Sequence, residues 1–217
     1  MSEENCLRSS PLGTLVPSEE WERLTQYAPQ TYLAGRVLLH QGSEGTHVLA
    51  LVEGLVKVVR HESDGRRRLF GFRGPGEILG EMALRPGKSR MATVTALEKS
   101  RAHIIPADEF RRLVRENGLA LPIAELAQNR MHEEADLCEG AVDRRLALAL
   151  LRLMTAAGGR RCFSLSREDL AQHVGVGRKA VSKALELLGP ECVTTGNRRI
   201  EVVDVQKLHH AAGLVGS

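Results

Sequence analysis

Aromatic side chains are scarce. One Trp, two Tyr and four Phe make up 3% of 217 residues, so any core must be aliphatic. Only four cysteines occur, Cys6, Cys138, Cys162 and Cys192, far apart and without a CxxC pair. That spacing argues against a disulfide framework or zinc cluster and for reduced cytosolic thiols. The longest uninterrupted aliphatic run, LALALL at 146–151, is far short of a membrane span. The N-terminus, MSEEN, is acidic and has no apolar signal core. A cytoplasmic protein without membrane contact is therefore expected. No nucleophile–base pair, metal cluster or complete nucleotide-hydrolysis motif is present, so neither an enzyme nor a metal site is expected. Charge excess is small as well: the net charge is +3 and the pI about 8.8. That is compatible with nucleic acid as a partner but does not argue for it alone.

What is present reads as a folded chain, with 42% hydrophobic and 26% charged residues. Ten of the 21 glycines fall between Gly35 and Gly87, in turn-like clusters. Between them lie short β-rich segments: RVLLH (36–40), HVLALV (47–52), LVKVVR (55–60), RRLFGF (67–72) and ATVTAL (92–97). RAHIIP (101–106) reads as one more strand. Short strands punctuated by turns predict a compact β-roll or barrel.

The period then becomes helical. ADEFRRLVREN (107–117) places Phe110, Leu113 and Val114 on one face, and Gly118 stops it. A second helix is expected over about 119–140, with Pro122 in its first turn. Leu119, Ile123, Ala127, Arg130, Glu134 and Leu137 step by 4-4-3-4-3, close to a coiled-coil seam. A dimer helix is the favoured reading and a solvent-facing connector the alternative. VDRRLALALLRLM (142–154) is a strongly apolar helix, broken at Gly158-Gly159.

SREDLAQHVGVGRKAVSKALELL (166–188) is the most informative stretch. Ser166 with Asp169 three residues on is a helix-start signal. Leu170, Ala171 and Val174 form one face, Gly175 permits a sharp turn, and Val181, Ala184, Leu185 and Leu188 are expected inside the next helix. Ala171, Gly175 and Val181 have the spacing of a helix-turn-helix. Arg178, Lys179, Ser182, Lys183 and Glu186 then face outward. Cations at a helix N-terminus oppose the helix dipole, but they suit a helix end that enters a DNA major groove. CVTTGNRRIEVVD (192–204) reads as a hairpin about Gly196-Asn197, a wing with Arg198 and Arg199 near its tip. Arg167 completes the expected DNA-binding set. His209 and His210, in a closing surface helix, are read as exposed residues.

GEMALRPGKSRMA (80–92) joins a Gly-Glu step, a short apolar patch, a Pro-Gly turn and an arginine. Those are the parts of a small anion-binding pocket. A β-roll, a long helix and a winged helix-turn-helix, in that order, resemble the catabolite activator protein (CRP/FNR) family of bacterial transcription regulators. The likeness runs from about residue 19 to 208. HQGSEGTHVLALVEGLVKV (40–58) resembles the family's first roll hairpins, ILGEMALRPGKSRMATV (78–94) its phosphate-binding cassette, and 166–188 its DNA-reading motif.

The resemblance implies an α+β fold: an N-terminal cyclic-nucleotide-binding-type β-roll, a long dimerisation helix and a C-terminal winged helix-turn-helix. The expected divisions are a tail at 1–18, a sensor roll at 19–118, a dimerisation helix at 119–141 and a DNA-binding domain at 142–217. It further implies a homodimer on a palindromic operator in double-stranded DNA, with RNA polymerase as a partner. In members that bind cyclic AMP, the cassette glutamate accepts the ribose hydroxyl and the arginine pairs with the cyclic phosphate. Those positions match Glu81 and Arg90, with the backbone of Gly80, Glu81, Met82 and Ala83 facing the phosphate.

The chain departs from this pattern in places. Met91 stands where a small hydroxyl residue is usual, and Arg130 and Met131 stand where cyclic-AMP binders place a threonine-serine pair. The effector is therefore left open among a cyclic nucleotide (cAMP or cGMP), another small anion and none, with no cofactor certain. The alternatives are a ligand-independent regulator whose roll is only a scaffold, and a cyclic-nucleotide-binding module of an enzyme or channel. Cys6 alone cannot hold an iron–sulfur cluster. The DNA-reading positions Arg178, Lys179 and Lys183 also differ from the family's Arg-Glu-Arg. Lysine cannot accept from cytosine N4 as glutamate does, so a half-site other than TGTGA is expected.

Overall fold

The computed structural model describes residues 11–26, 28–85 and 87–214. Cys6 and most of the acidic tail lie outside them. The first helix, α1 (Ser18–Leu24), starts after Pro17 with Glu19 and Glu20 in its first turn, where acids suit the dipole. Eight strands then build the roll: β1 (Gln30–Tyr32), β2 (Val37–Leu39), β3 (His47–Glu53), β4 (Val56–His61), β5 (Arg67–Arg73), β6 (Ile78–Leu79), β7 (Thr93–Ala96) and β8 (Ser100–Pro106). They form two four-stranded sheets, ordered β1-β8-β3-β6 and β2-β7-β4-β5. Every pairing is antiparallel.

The central strand β3 shows how the sequence positions the sheets. Its apolar run is buried on both faces, and the period of two divides it. Leu49 and Leu51 join Leu39, Val56, Leu79 and Val94 between the sheets. Val48 and Ala50 face the other way, against Phe110 and Leu113 of α2 (Ala107–Glu116) and Leu126 of α3 (Ala120–Asp136). One strand thus fixes both the roll interior and the helices beneath it.

Helix α3 corrects the expected seam. Leu119 and Leu137 are buried within the chain, and Ile123 packs against the roll. The heptad read from the sequence is therefore the roll-facing side. Besides Ala120 at its start, the exposed apolar positions are Leu121, Ala124, Met131 and Ala135, with Gln128 between them, these five also stepping by three and four. Two overlapping stripes lie on one helix, and the pattern alone picked out the one that the chain itself covers. The helix also stops earlier than expected, at Asp136, because Leu137 turns back into the core.

The C-terminal unit forms around α4 (Val142–Ala156), whose Leu146 to Leu151, Leu153 and Met154 are all buried. Helices α5 (Arg167–Val174) and α6 (Arg178–Leu188) pack on it. Ser166 and Asp169 form the capping box at the start of α5, and Gly175 ends it at φ +67°. Leu170, Ala171, Val174, Val181, Ala184 and Leu185 are buried, whereas Leu188 is only partly so. The wing consists of β10 (Val193–Gly196) and β11 (Arg199–Val202), joined by β9 (Cys162–Phe163) as a third strand, and α7 (Val205–Ala211) closes the chain. Gly196 pairs with Arg199 in the ladder, so the reversal falls on Asn197–Arg198, one residue later than expected. Arg198 takes φ +51° at the tip.

The two units share one core. Leu55, Val59, Leu69 and Phe72 of the roll pack with the helices of the C-terminal unit. Lys57 on β4 pairs with Asp169, the residue that caps α5. His173 on α5 stacks edge-on against Phe72, and its Nδ1–H donates to the Leu69 carbonyl at 3.0 Å. Burial lowers the His173 pKa from 6.5 to about 4, so the ring is neutral at pH 7. The unfolded chain then binds more protons than the folded one between those two values. Folding stability accordingly falls as pH drops from 6.5 towards 4, by on the order of 3 kcal/mol. Urea titrations across that range show the slope, and His173→Gln removes most of it. An unchanged slope in the variant assigns the acid sensitivity to other groups.

Candidate effector cavity and nucleic-acid interface

A cavity of about 280 Å³ opens between the roll and α3. All eight residues singled out from the sequence for ligand contact line it: Gly80, Glu81, Met82, Ala83, Arg90, Met91, Arg130 and Met131. Strand β6 delivers the chain to Gly80, which adopts φ +89°. A side chain there would put its Cβ 2.0 Å from Arg90 Nη1, so the glycine is needed for the arginine to lie where it does. Residues Glu81–Leu84 then form one short 3-10 turn.

Arg90 is only 4% exposed. Its Nη2 donates to the His47 carbonyl at 2.6 Å and its Nη1 to the Gly80 carbonyl at 3.3 Å. No carboxylate among the described residues forms an ion pair with it. Burial lowers its pKa, and only the field of Glu81 opposes that. A buried guanidinium held by neutral carbonyls is stabilised by an anion.

Arg130 behaves differently. It reaches from α3 into the roll, where Nη1 donates to Glu81 at 2.8 Å and Nη2 to Glu77 at 2.7 Å. The three side chains are 16%, 6% and 11% exposed. Burial keeps the Glu77 carboxyl above the ordinary carboxylate range even with Arg130 against it. The sequence reading placed Arg130 at the cavity but missed Glu77; a lone acid before a two-residue strand carries no pattern that marks it. Arg73 and Glu134 also line the cavity and were not foreseen. Met91 and Met131 are exposed at its rim, 52% and 71%.

At the other end of the molecule, α6 and the wing border an open groove. Arg167, Arg178, Lys179, Ser182, Lys183, Arg198 and Arg199 all line it. Six cations there face two carboxylates, Glu168 and Glu186. Arg178 is 74% exposed and meets Glu168 at 3.3 Å, a pair worth little in water. Arg167 reaches across to Thr195 Oγ1 at 3.3 Å and ties α5 to the wing. An exposed helix N-terminus carrying arginine and lysine, beside a basic wing, has the form of a groove-reading unit.

Residues 29–117 match the cyclic nucleotide-binding domain family, and residues 144–211 match the Crp-like helix-turn-helix domain family. The "Cyclic AMP receptor protein" of Thermus thermophilus is 30% identical over 95% of this chain and 98% of its own length. The chain belongs to the CRP/FNR family. It is a DNA-binding transcription regulator with a sensor domain of the cyclic-nucleotide-binding type. Among other CRP/FNR members, a "CRP-like cAMP-activated global transcriptional regulator" of Mycobacterium tuberculosis is 29% identical over 84% of this chain and 87% of its own. The crystal structure of a CRP-family transcriptional regulator from Thermus thermophilus superposes with a TM-score of 0.69 at 26% identity, covering 85% of this chain and 96% of that one. The curated relatives are transcription regulators rather than enzymes. Among the described residues, no helix is long and apolar enough to cross a membrane.

Proposed function

We propose that this CRP/FNR regulator works in the cytoplasm as a homodimer on a palindromic operator, with a small anionic effector, cyclic nucleotides included, in the cavity between roll and α3. The observation that carries the effector is Arg90: buried, charged and without a carboxylate partner among the described residues. The exposed stripe Leu121, Ala124, Met131 and Ala135 supports α3 as the dimer contact. Arg178, Lys179, Ser182 and Lys183 meet base edges and phosphates, while Arg167, Arg198 and Arg199 contact the backbone. The effector touches both roll and α3, so it biases how the two recognition helices are set, a population shift. Productive binding needs those helices about 34 Å apart. RNA polymerase as a partner rests on family membership alone.

The test is selection from random DNA followed by affinity measurements over a salt series, with and without cyclic nucleotides. A palindrome other than TGTGA, bound more weakly as salt rises, is expected. Salt-independent association, or a TGTGA palindrome, counts against the assignment of the α6 cations. One observation favours a second reading. Arg130 joins α3 to Glu77 and Glu81 of the roll through the protein's own side chains, which suits a regulator that needs no effector. Operator affinity that no cyclic nucleotide or small anion alters selects that reading.

A further inference from the structure

Arg178, Lys179 and Lys183 of α6 all line the groove beside the wing. Among the described residues, only Arg178 of these three has a carboxylate against it. Its Nε stands 3.3 Å from Oε2 of Glu168, in the first turn of α5. The other oxygen, Glu168 Oε1, accepts from Gln172 Nε2 at 3.1 Å, one turn along the same helix. Three side chains thus run in series from α5 to the first residue of α6. No described residue accepts a hydrogen bond from either terminal nitrogen of Arg178.

Glu168 lines the same groove. A carboxylate there repels DNA phosphates and weakens binding to DNA of any sequence. Against that cost stands its effect on Arg178. An unrestrained arginine can turn any of its five donors to a phosphate or to a base. With Nε against the carboxylate, the two Nη groups remain as the free fork, the pair that fits guanine O6 and N7. The same negative charge keeps phosphates away from the guanidinium, so a backbone contact gains less than a base contact. In water this exposed pair is weak, but a DNA groove excludes water from it and strengthens it. Lys179 and Lys183 lack such a partner among the described residues, and a point charge suits phosphate.

We infer that Glu168, oriented by Gln172, is a positioning residue that commits Arg178 to a guanine rather than to the phosphate backbone, and so sets the specificity of each half-site at one base pair. The inference rests on the reading of α6 as the recognition helix with Arg178 in the interface. A structural role predicts something else. Glu168 suits the dipole of α5, and its charge offsets Arg178 at the N-terminus of α6. Either effect changes stability and leaves base preference alone.

The experiment measures the affinity of the full chain for the selected operator and for variants with one base pair of each half-site replaced, in the solution used for the selection. The unmodified protein discriminates against loss of one guanine by about tenfold or more per half-site. Glu168→Ala lowers that ratio to about threefold or less at that position alone, and binds unrelated DNA about threefold more tightly because a charge repelled by phosphates is gone. Glu168→Gln keeps an oxygen for Nε without the charge and falls between the two. Gln172→Ala gives a smaller loss at the same position. In an Arg178→Ala background, Glu168→Ala alters base preference no further. Lys183→Ala weakens all sequences alike, with Glu168 present or absent. An unchanged base profile in Glu168→Ala overturns the inference, whatever happens to the melting temperature. A change of profile that persists in the Arg178→Ala background overturns it too. In both cases, an Arg178→Ala variant that still relaxes one position keeps the assignment of α6. Operator affinity that Arg178→Ala leaves within about twofold overturns the inference and that assignment together.

Discussion

Arg130→Met destabilises the folded chain by about 3–5 kcal/mol at neutral pH, because it leaves Glu77 and Glu81 buried beside each other without their cation. Urea denaturation measures the loss. Combining the substitution with Glu77→Gln and Glu81→Gln recovers most of it, since the charges rather than the packing carry the cost. The loss also depends on pH, with a definite sign. Glu77 already has a folded pKa above its ordinary value. An acid raised in this way disfavours folding as pH climbs from its unfolded pKa through its folded one. Without Arg130 the folded value rises further. The deficit is therefore largest at neutral pH and shrinks as the solution is acidified towards the ordinary carboxylate range. A deficit below about 1 kcal/mol at pH 7 would mean that water reaches the two carboxylates and that the triad does not fix α3 to the roll.

Arg178→Ala on the selected operator costs about 1–3 kcal/mol per half-site, hence about 2–6 kcal/mol for a dimer that uses both. The folded chain tolerates the change, because the side chain is 74% exposed and its ion pair is with exposed Glu168. The pattern of loss separates base from phosphate contact. A base contact relaxes specificity at one position of each half-site. A phosphate contact weakens all sequences alike and reduces the salt slope by about one charge per site. Affinity within about twofold of the unmodified protein removes Arg178 from the interface.

The DNA-reading end was legible in the sequence because its determinants are local. The capping pair Ser166 and Asp169, the glycine at the turn and the buried face Ala171, Val174 and Val181 all lie within sixteen residues. Period and turn chemistry fix such a unit wherever it sits. The roll strands were legible for the same reason, through their glycine punctuation. The strands β1, β6 and β9 were not: they have two or three residues each and exist only because longer neighbours offer them an edge.

The stripe on α3 shows where local pattern fails. Leu119, Ile123 and Leu137 share a spacing with a seam, yet the roll covers that side. Periodicity reports that a face is apolar and says nothing of what meets it. The wing tip slipped by one residue because Gly196 belongs to the ladder and Arg198 carries the positive φ.

By itself, then, the sequence determined the order of units, the helix-turn-helix with its outward cations, and the placing of Glu81 and Arg90 on either side of one turn. The tertiary structure alone decided what those charges face. Arg130 is 49 residues from Glu81 and 53 from Glu77, and Lys57 is 112 from Asp169. Ion pairs between such distant positions leave no trace in spacing. They arise when two units share a core, and burial then makes each unmet charge expensive enough to find its partner.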